Sequence, residues 1–406
     1  MPKLRNRKPR RVVVTGLGVV SSLGIGWEPF WKNLMAGKSG ISRITAFDTS
    51  KYDRHYAGEV KDFDPTKFMN KKKAAQLGRA SQMAIAASKL AVMDAKLKLE
   101  GNIQNRMGVC IGTTVGELPY LEKYHDNPVN VLPSFFSNFS SSSLAANVAL
   151  ELKLHGYNRV FATACSAGNY AVGQAYDFIR MGMSDYMLAG GSDAFSRVIF
   201  TGFERLFAIA PEKCQPFDIN RKGMLVGEGS GMVLLEDYEN AISRNAHVYA
   251  EIVGYGLSCD AYNMTEPSIE GVIKVLKRAI INSGLEYKDV NYVSAHGTGT
   301  KENDKVECLA FKRVFGKIRQ NIPISSIKSA LGHTMGAASA LETIVCCLVI
   351  NMAAIPPTIN YEEIDPDCNV DCVPNVARRK EVNIVLNNSQ AFGGNNACLV
   401  IKKVNG

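Results

Sequence analysis

The chain is expected to hold no apolar run of the roughly 18 to 20 residues that a membrane-spanning helix needs. Its longest, IVCCLVINMAAI at 344–355, reads as a buried helix. A secretory leader is not expected either. The opening MPKLRNRKPRRVVV is basic but runs straight into β-branched residues, without an apolar core or a small-residue cleavage site, so a cytoplasmic protein is expected. Cysteine pairs at zinc spacing are absent: Cys368 and Cys372 come nearest, no second pair answers them, and no metal site is expected. The ten cysteines are irregularly spaced along 406 residues, which argues against a disulfide framework and for free thiols. No basic stretch is interleaved with aromatics, so neither nucleic acid nor membrane is an expected partner. The glycine-rich TGLGVVSSLG tempts a nucleotide-loop reading. Gly16, Gly18 and Gly24 do not give the Gly-x-Gly-x-x-Gly spacing, however, and no acidic residue follows at the right distance.

What is present is a globular composition, 46% hydrophobic and 21% charged, with a net charge of +9 from 47 Lys+Arg against 38 Asp+Glu. The surplus suggests an acidic partner. Part of it is the N-terminal tail.

The chain also resembles itself. RVVVTGLGVVSSLG (11–24) and YAEIVGYGLSCDAY (249–262) are both β-branched runs followed by Gly-x-Gly. VFATACSAGNYAVGQAYDFI and ISSIKSALGHTMGAASALETIV both run from strand-like residues through a polar turn into a helix of small residues. This duplication predicts two α/β halves, 11–250 and 251–406, the first enlarged by insertions. RMGVCIGTT, YMLAGGSDA, GMVLLEDY and NYVSAHGT read as strands, residues 73–94 and 268–283 as helices, and SSSS (140–143) as a helix opening. Apolar strands without alternation imply parallel sheets covered on both faces.

Three motifs carry chemistry. In TACSAG, Cys165 stands where a strand hands over to a helix, whose unpaired N–H groups and dipole favour thiolate over thiol. In SAHGTGTKENDKVE, His296 ends a strand and enters a Gly/Thr turn, followed by Asp304 and Glu307. In IKSALGHTMGAASA, Lys328 precedes His333, which opens the small-residue helix of the second half.

With VVVTGLGVVSSLG, PFDINRKGMLVGEGSGMVLLE and AFGGNNAC, these motifs run through nearly the whole chain in an order that resembles the β-ketoacyl-[acyl carrier protein] synthases, thiolase-fold condensing enzymes of fatty-acid and polyketide synthesis. The resemblance implies an α/β fold of two duplicated thiolase-like halves in layered αβαβα order. It implies that Cys165 takes an acyl group, that His296 and His333 stabilise the enolate left by malonyl decarboxylation, and that Phe392 contributes oxyanion stabilisation and gating. Lys328 would orient His333 or balance its charge, and Asp304 and Glu307 would form a network behind the histidines. Thr298 and Thr300 would line the malonyl and pantetheine path, and Val115 the far end of the acyl pocket. Ala391, where elongating relatives commonly have glycine, bears on the mobility of the Phe392 loop. HGTGT and a short GFERLFAIAPEKCQPFD lean towards polyketide-type enzymes.

No resident cofactor is implied, since phosphopantetheine arrives on the carrier. The partners implied are an acyl carrier protein, docking at Lys71, Lys72, Lys73 and Arg79, and a second subunit, giving a homodimer or a heterodimer with a chain-length-factor-like protein. Two alternatives are a non-catalytic chain-length-factor-type subunit and a thiolase acting on acyl-CoA with Cys398 as its second cysteine.

Overall fold

The computed structural model describes residues 9–125 and 140–404; the N-terminal residues 1–8, which hold most of the basic tail, lie outside them. Ten strands form one continuous sheet. In chain order they are β1 (Val12–Ser21), β2 (Met107–Gly112), β3 (Asn158–Phe161), β4 (Tyr186–Asp193), β5 (Gly229–Asp237), β6 (Ala250–Cys259), β7 (Tyr292–Ser294), β8 (Ile324–Ser325), β9 (Ile384–Ser389) and β10 (Asn395–Lys402), with a two-residue strand Gly24–Ile25 folded back on β1. The spatial order is β8-β7-β9-β10-β6-β1-β5-β4-β2-β3. Renumbered within its own half, each set of five has the same order, and the halves meet where β1 pairs antiparallel with β6, Val12 opposite Ile252 and Val14 opposite Ala250. The duplication legible in the sequence is therefore a duplication of topology.

The expected parallel sheets are mixed instead. β2 pairs parallel with β3 and β4, and β7 with β8 and β9, but β5 lies antiparallel between β4 and β1, and β10 antiparallel between β9 and β6. β9 and β10 are joined by the short turn that carries Phe392, which can only return the chain antiparallel.

Side-chain alternation then builds the layers. Met187 and Ala189 of β4, Val233 and Leu235 of β5, and Leu399 and Ile401 of β10 face a shared central core. That core holds helices α3 (Ala167–Arg180) and α7 (Ala338–Met352). Leu188, Met232 and Leu234 face outward under α1 (Arg79–Asp94) and α2 (Ser143–Leu152). Leu386, Cys398 and Val400 face α5 (Ile269–Asn282) and α6 (Lys301–Phe315), while α4 (Arg197–Arg205) places Phe200 in a separate cluster. The result is helix, sheet, helix, sheet, helix. Helix α7 is buried from Ala338 to Ile350, as a helix apolar all round must be. With its preceding turn it forms an 18-residue apolar stretch, Met335–Met352, of which 89% is buried inside the fold. It is longer than the run read from the sequence because the small residues before Ile344 belong to the same helix.

The glycines of β1 have a packing role. A Cβ on Gly16 would stand 2.1 Å from Ala91 O and one on Gly18 1.8 Å from Ala87 O, so both let the strand backbone press against α1. The helix expected over 73–94 is two, Lys71–Gln76 and α1, broken at Leu77–Gly78.

Candidate active site

The duplicated topology delivers the catalytic residues to one place. At the end of β3 the chain turns through Ala164, whose φ of 50° is rare for a residue with a Cβ, into a single 3-10 turn (Ala164–Ser166) and then α3. After β8 it does the same through Met335, φ 54°, into Met335–Ala337 and α7. Cys165 and Gly336 hold equivalent positions in these two turns. The helix starts abut: a Cβ on Gly168 would meet Ala340 N at 2.7 Å. The hydroxyls of Ser339 and Ser389 donate to Cys165 O at 3.3 and 3.2 Å, so the second half fixes the cysteine backbone of the first.

Cys165 lines a cavity of about 430 Å³ with His296, His333, Thr298, Thr300, Gln390 and Phe392. Its thiol is not the thiolate that a helix start alone would give. Burial pushes it up to about 11, against the pull of Lys328 and of the backbone N–H groups of Phe392 and Cys165 itself. Burial outweighs the helix dipole because desolvation acts on the whole charge, whereas the dipole offers only a fraction of one. The two N–H groups at the sulfur matter more for an oxygen: once Cys165 is acylated, the same pair can hold the carbonyl oxyanion. Alkylation of Cys165 by iodoacetamide is therefore expected to keep accelerating about tenfold per pH unit beyond 8.5, where an ordinary thiol levels off, continuing towards about 11. Time courses followed by mass spectrometry of the Cys165 peptide would read this, and a plateau below pH 8 would contradict it.

The imidazoles of His296 and His333 lie 5.5 Å apart, nearly perpendicular at 82°. Burial, then Lys328, drives both well below the ordinary histidine range, so both rings are neutral. The N–H of Met335 donates to His333 Nδ1 at 3.1 Å. Nδ1 is thus an acceptor, and the ring proton sits on Nε2, which is buried and without a partner among the described residues. His333 accordingly offers an unused N–H donor. His296 Nδ1 is likewise buried and unpartnered.

Behind His296, the backbone N–H groups of His296 and Gly297 each donate at 2.8 Å to Glu307, and that of Thr298 donates at 3.1 Å to Asp304. Asp304 also accepts from Phe217 N at 2.8 Å, and Glu307 from Asn388 Nδ2 at 2.7 Å. Both carboxylates are buried and hold the turn that presents the imidazole. Thr298 and Thr300 share a 2.9 Å hydroxyl contact on the cavity wall.

Lys328 makes no hydrogen bond to His333 among the described residues. It ion-pairs with Glu342, both side chains 1% exposed. Burial raises Glu342 to about 7 in spite of the lysine. Sequence reasoning missed Glu342; the signal was a lone carboxylate inside ASALETIVCCLVI. Glu342→Ala is expected to cost about 3–5 kcal/mol, since it strands a buried ammonium, and to lower the midpoint of thermal unfolding. Glu342→Gln should lose less.

Other expected site residues fall elsewhere. Val115 does not line the cavity; it packs on the aromatic cluster of Phe47, Phe195 and Phe200, its N–H donating to Asp193 at 2.9 Å. Arg79 is no free docking cation: it bonds Glu228 and Val60 O and stands over the Phe63 ring. Lys73 is tied to Glu151 at 2.7 Å, whereas Lys71 and Lys72 are exposed. Ala391 has extended backbone, φ −145°, which needs no glycine; the positive angles of this turn fall on Gly393 and Gly394. At the cavity mouth stand Lys222 and Lys301, exposed cations that the motifs did not flag, and Phe207, 90% exposed. No cluster of metal-ligating side chains occurs among the described residues.

This site is shared with known proteins. The sequence profile of the β-ketoacyl synthase N-terminal domain matches residues 9–241, and that of the C-terminal domain residues 249–362. The chain belongs to the β-ketoacyl synthase family. A 3-oxoacyl-[acyl-carrier-protein] synthase 2 from Synechocystis is 38% identical over 98% of this chain and all of that protein, and one from Coxiella burnetii is 38% identical over 97% and 99%. Among solved structures, the ishigamide ketosynthase/chain length factor superposes with a TM-score of 0.93 at 42% identity, covering 98% of this chain and 100% of that one. A type II polyketide synthase acyl-carrier protein in complex with its ketosynthase bound to the hexaketide gives 0.89 at 33%, with the same coverage. This β-ketoacyl synthase is thus a condensing enzyme with a thiolase-like fold.

Proposed function

We propose that this β-ketoacyl synthase carries its acyl group on Cys165 and condenses it with malonyl-acyl carrier protein, releasing CO2 and a 3-oxoacyl-carrier protein. The observation that carries the reading is a single cavity in which the Cys165 sulfur meets the Phe392 N–H and shares its walls with two neutral imidazoles. Attack of the sulfur on the acyl thioester expels the carrier thiol and leaves an acyl-enzyme. His333 Nε2–H and His296 then donate to the malonyl thioester oxygen, where charge gathers as the bond to CO2 breaks. Neutral donors suit this step, because an imidazolium would hand its proton to the enolate. The enolate carbon attacks the acyl-Cys165 carbonyl, whose oxygen charges against the N–H groups of Cys165 and Phe392, and collapse expels the Cys165 thiolate, which takes a proton from solvent to return to the thiol. No resident cofactor enters these steps; the pantetheine arm comes with the carrier.

The pathway proposed is type II polyketide or polyene elongation, with a chain-length-factor-like subunit as partner in the cytoplasm. The 42% identity to a chain of the ishigamide ketosynthase/chain length factor supports it. Fatty-acid elongation is the second reading, favoured by the curated relatives. A thiolase is disfavoured: Cys398, its second cysteine, lies in the outer core away from the cavity, its thiol raised by burial. Incubating the chain with malonyl-carrier protein and a panel of acyl-carrier proteins, alone and with a chain length factor, and identifying products by mass spectrometry tests the reading. Elongation only with the factor supports the polyketide pathway, and elongation alone supports the fatty-acid one.

For carrier docking, Lys71 and Lys72 are the exposed cations of the basic stretch that make no ion pair among the described residues. Reversing both to Glu is expected to raise the KM for carrier-bound substrate several-fold at low salt and less at high salt, because exposed charges are screened. Turnover of a small pantetheine thioester should hardly change. Equal impairment with both substrates would overturn the docking role.

A further inference from the structure

The segments that close β4 and β9 and lead into the turns are equivalent in the duplicated halves, and their sequences agree at three of four positions: Ser192-Asp193-Ala194-Phe195 and Ser389-Gln390-Ala391-Phe392. Their polar residues have opposite fates. Asp193 is saturated, accepting from the Thr113 hydroxyl and from the backbone N–H groups of Thr114, Val115 and Gly336. Gln390 is 2% exposed, and neither Oε1 nor Nε2 has a hydrogen-bond partner among the described residues. A buried carboxamide left bare at both ends costs free energy that apolar side chains would not. It lines the catalytic cavity, where a ligand can supply the missing partner.

Strand alternation gives the side on which it acts. Ser389 turns towards Cys165, donating to its carbonyl. Gln390 therefore faces the other way, as does Asn388, which donates to the Glu307 carboxylate beneath His296. Gln390 thus stands on the His296 side of the cavity, two residues before the N–H that points at the sulfur. The carbonyl of the acyl group on Cys165 is taken by the N–H groups of Cys165 and Phe392, and the amides of a pantetheine arm lie several bonds beyond the thioester sulfur. The extender unit brings two polar groups here. Its thioester oxygen is claimed by the histidines, and its carboxylate is unclaimed.

We infer that Gln390 is a positioning residue for the extender unit, its Nε2–H donating to the malonyl carboxylate. Carbon–carbon cleavage needs the bond to the carboxylate held perpendicular to the thioester plane, so that its electron pair flows into the enolate as neutral CO2 departs. A neutral amide can set that angle. A lysine or arginine would hold the carboxylate charge more strongly than the CO2 it becomes, and so oppose its loss. The inference rests on the condensing reaction proposed above, which the unaltered enzyme tests by itself.

The test compares two thioesters on the same arm. In Gln390→Met, which keeps the volume, and Gln390→Glu, which sets a carboxylate against a carboxylate, the KM for decarboxylation of malonyl-pantetheine is expected to rise roughly ten- to hundredfold, the latter more. Acylation of Cys165 by hexanoyl-pantetheine, followed by mass spectrometry, should fall by a far smaller factor and also reports that the fold and the Phe392 turn are intact. Equal loss of both reactions would overturn the inference, assigning Gln390 to the arm or the turn, and so would an unchanged KM for malonyl-pantetheine in both variants. Condensation by the unaltered enzyme with either variant result keeps the proposed function standing.

Discussion

Cys165→Ala is expected to abolish condensation, with a loss of several orders of magnitude, because no other thiol lines the cavity. Cys214 comes next to mind, but it is buried and bonded to Thr298 O at 3.2 Å, and burial drives its thiol far up. Intact mass spectrometry after exposure to acyl-carrier protein should show the acyl adduct on the unaltered enzyme and none on the variant. Malonyl decarboxylation should survive, since His296, His333 and the turns that hold them do not depend on the sulfur. An adduct on the variant would mean that another residue is the nucleophile. Loss of decarboxylation along with acylation would mean that the thiol takes part in enolate formation too.

His333→Ala should give the complementary pattern. Removing one preorganised donor from a buried oxyanion site costs about 10² to 10³ in rate, so malonyl decarboxylation should fall by that factor while Cys165 still acquires its acyl group. His296→Ala should do likewise, with an added loss if the Glu307-held turn relaxes. The pH dependence separates a neutral donor from an imidazolium. With both rings kept well below the ordinary histidine range, decarboxylation should not gain or lose activity as pH crosses about 6 to 7 through histidine ionisation. Nuclear magnetic resonance of ring protons would see neutral imidazoles throughout that interval. An imidazolium at pH 6.5 would overturn the assignment of neutral donors.

The duplicated halves, the α/β class, the strand-to-helix station of Cys165 and the presence of two histidines in Gly-rich turns were all legible in the sequence. Each is local: β-branched runs, small-residue helices and turn residues declare themselves within a few positions. The antiparallel placement of β5 and β10 was not legible, because an apolar strand buried on both faces reads the same in either direction. The thiol's raised pKa escaped for a related reason. A helix start is visible along the chain, but the desolvation that outweighs it comes from residues brought together from Phe203 to Phe392.

Partner choice divides the site in the same way. Lys328 was legible as a charge near His333, whereas its ion pair with Glu342 exists because one turn of α7 returns beside it. Lys73 and Arg79 looked free in a basic stretch and are occupied by Glu151 and Glu228. Val115 sits in a motif that points at the pocket, yet its backbone is held by Asp193 and its side chain by an aromatic cluster. Most telling are Asp193 and Gln390, equivalent by sequence and by topology. Local sequence places a polar residue followed by Ala-Phe at the close of a central strand in each half. That one of them is satisfied by four donors while the other stands bare in the cavity follows from the folded arrangement, because hydrogen-bond saturation depends on which loops converge there and not on the residue's own neighbours in the chain.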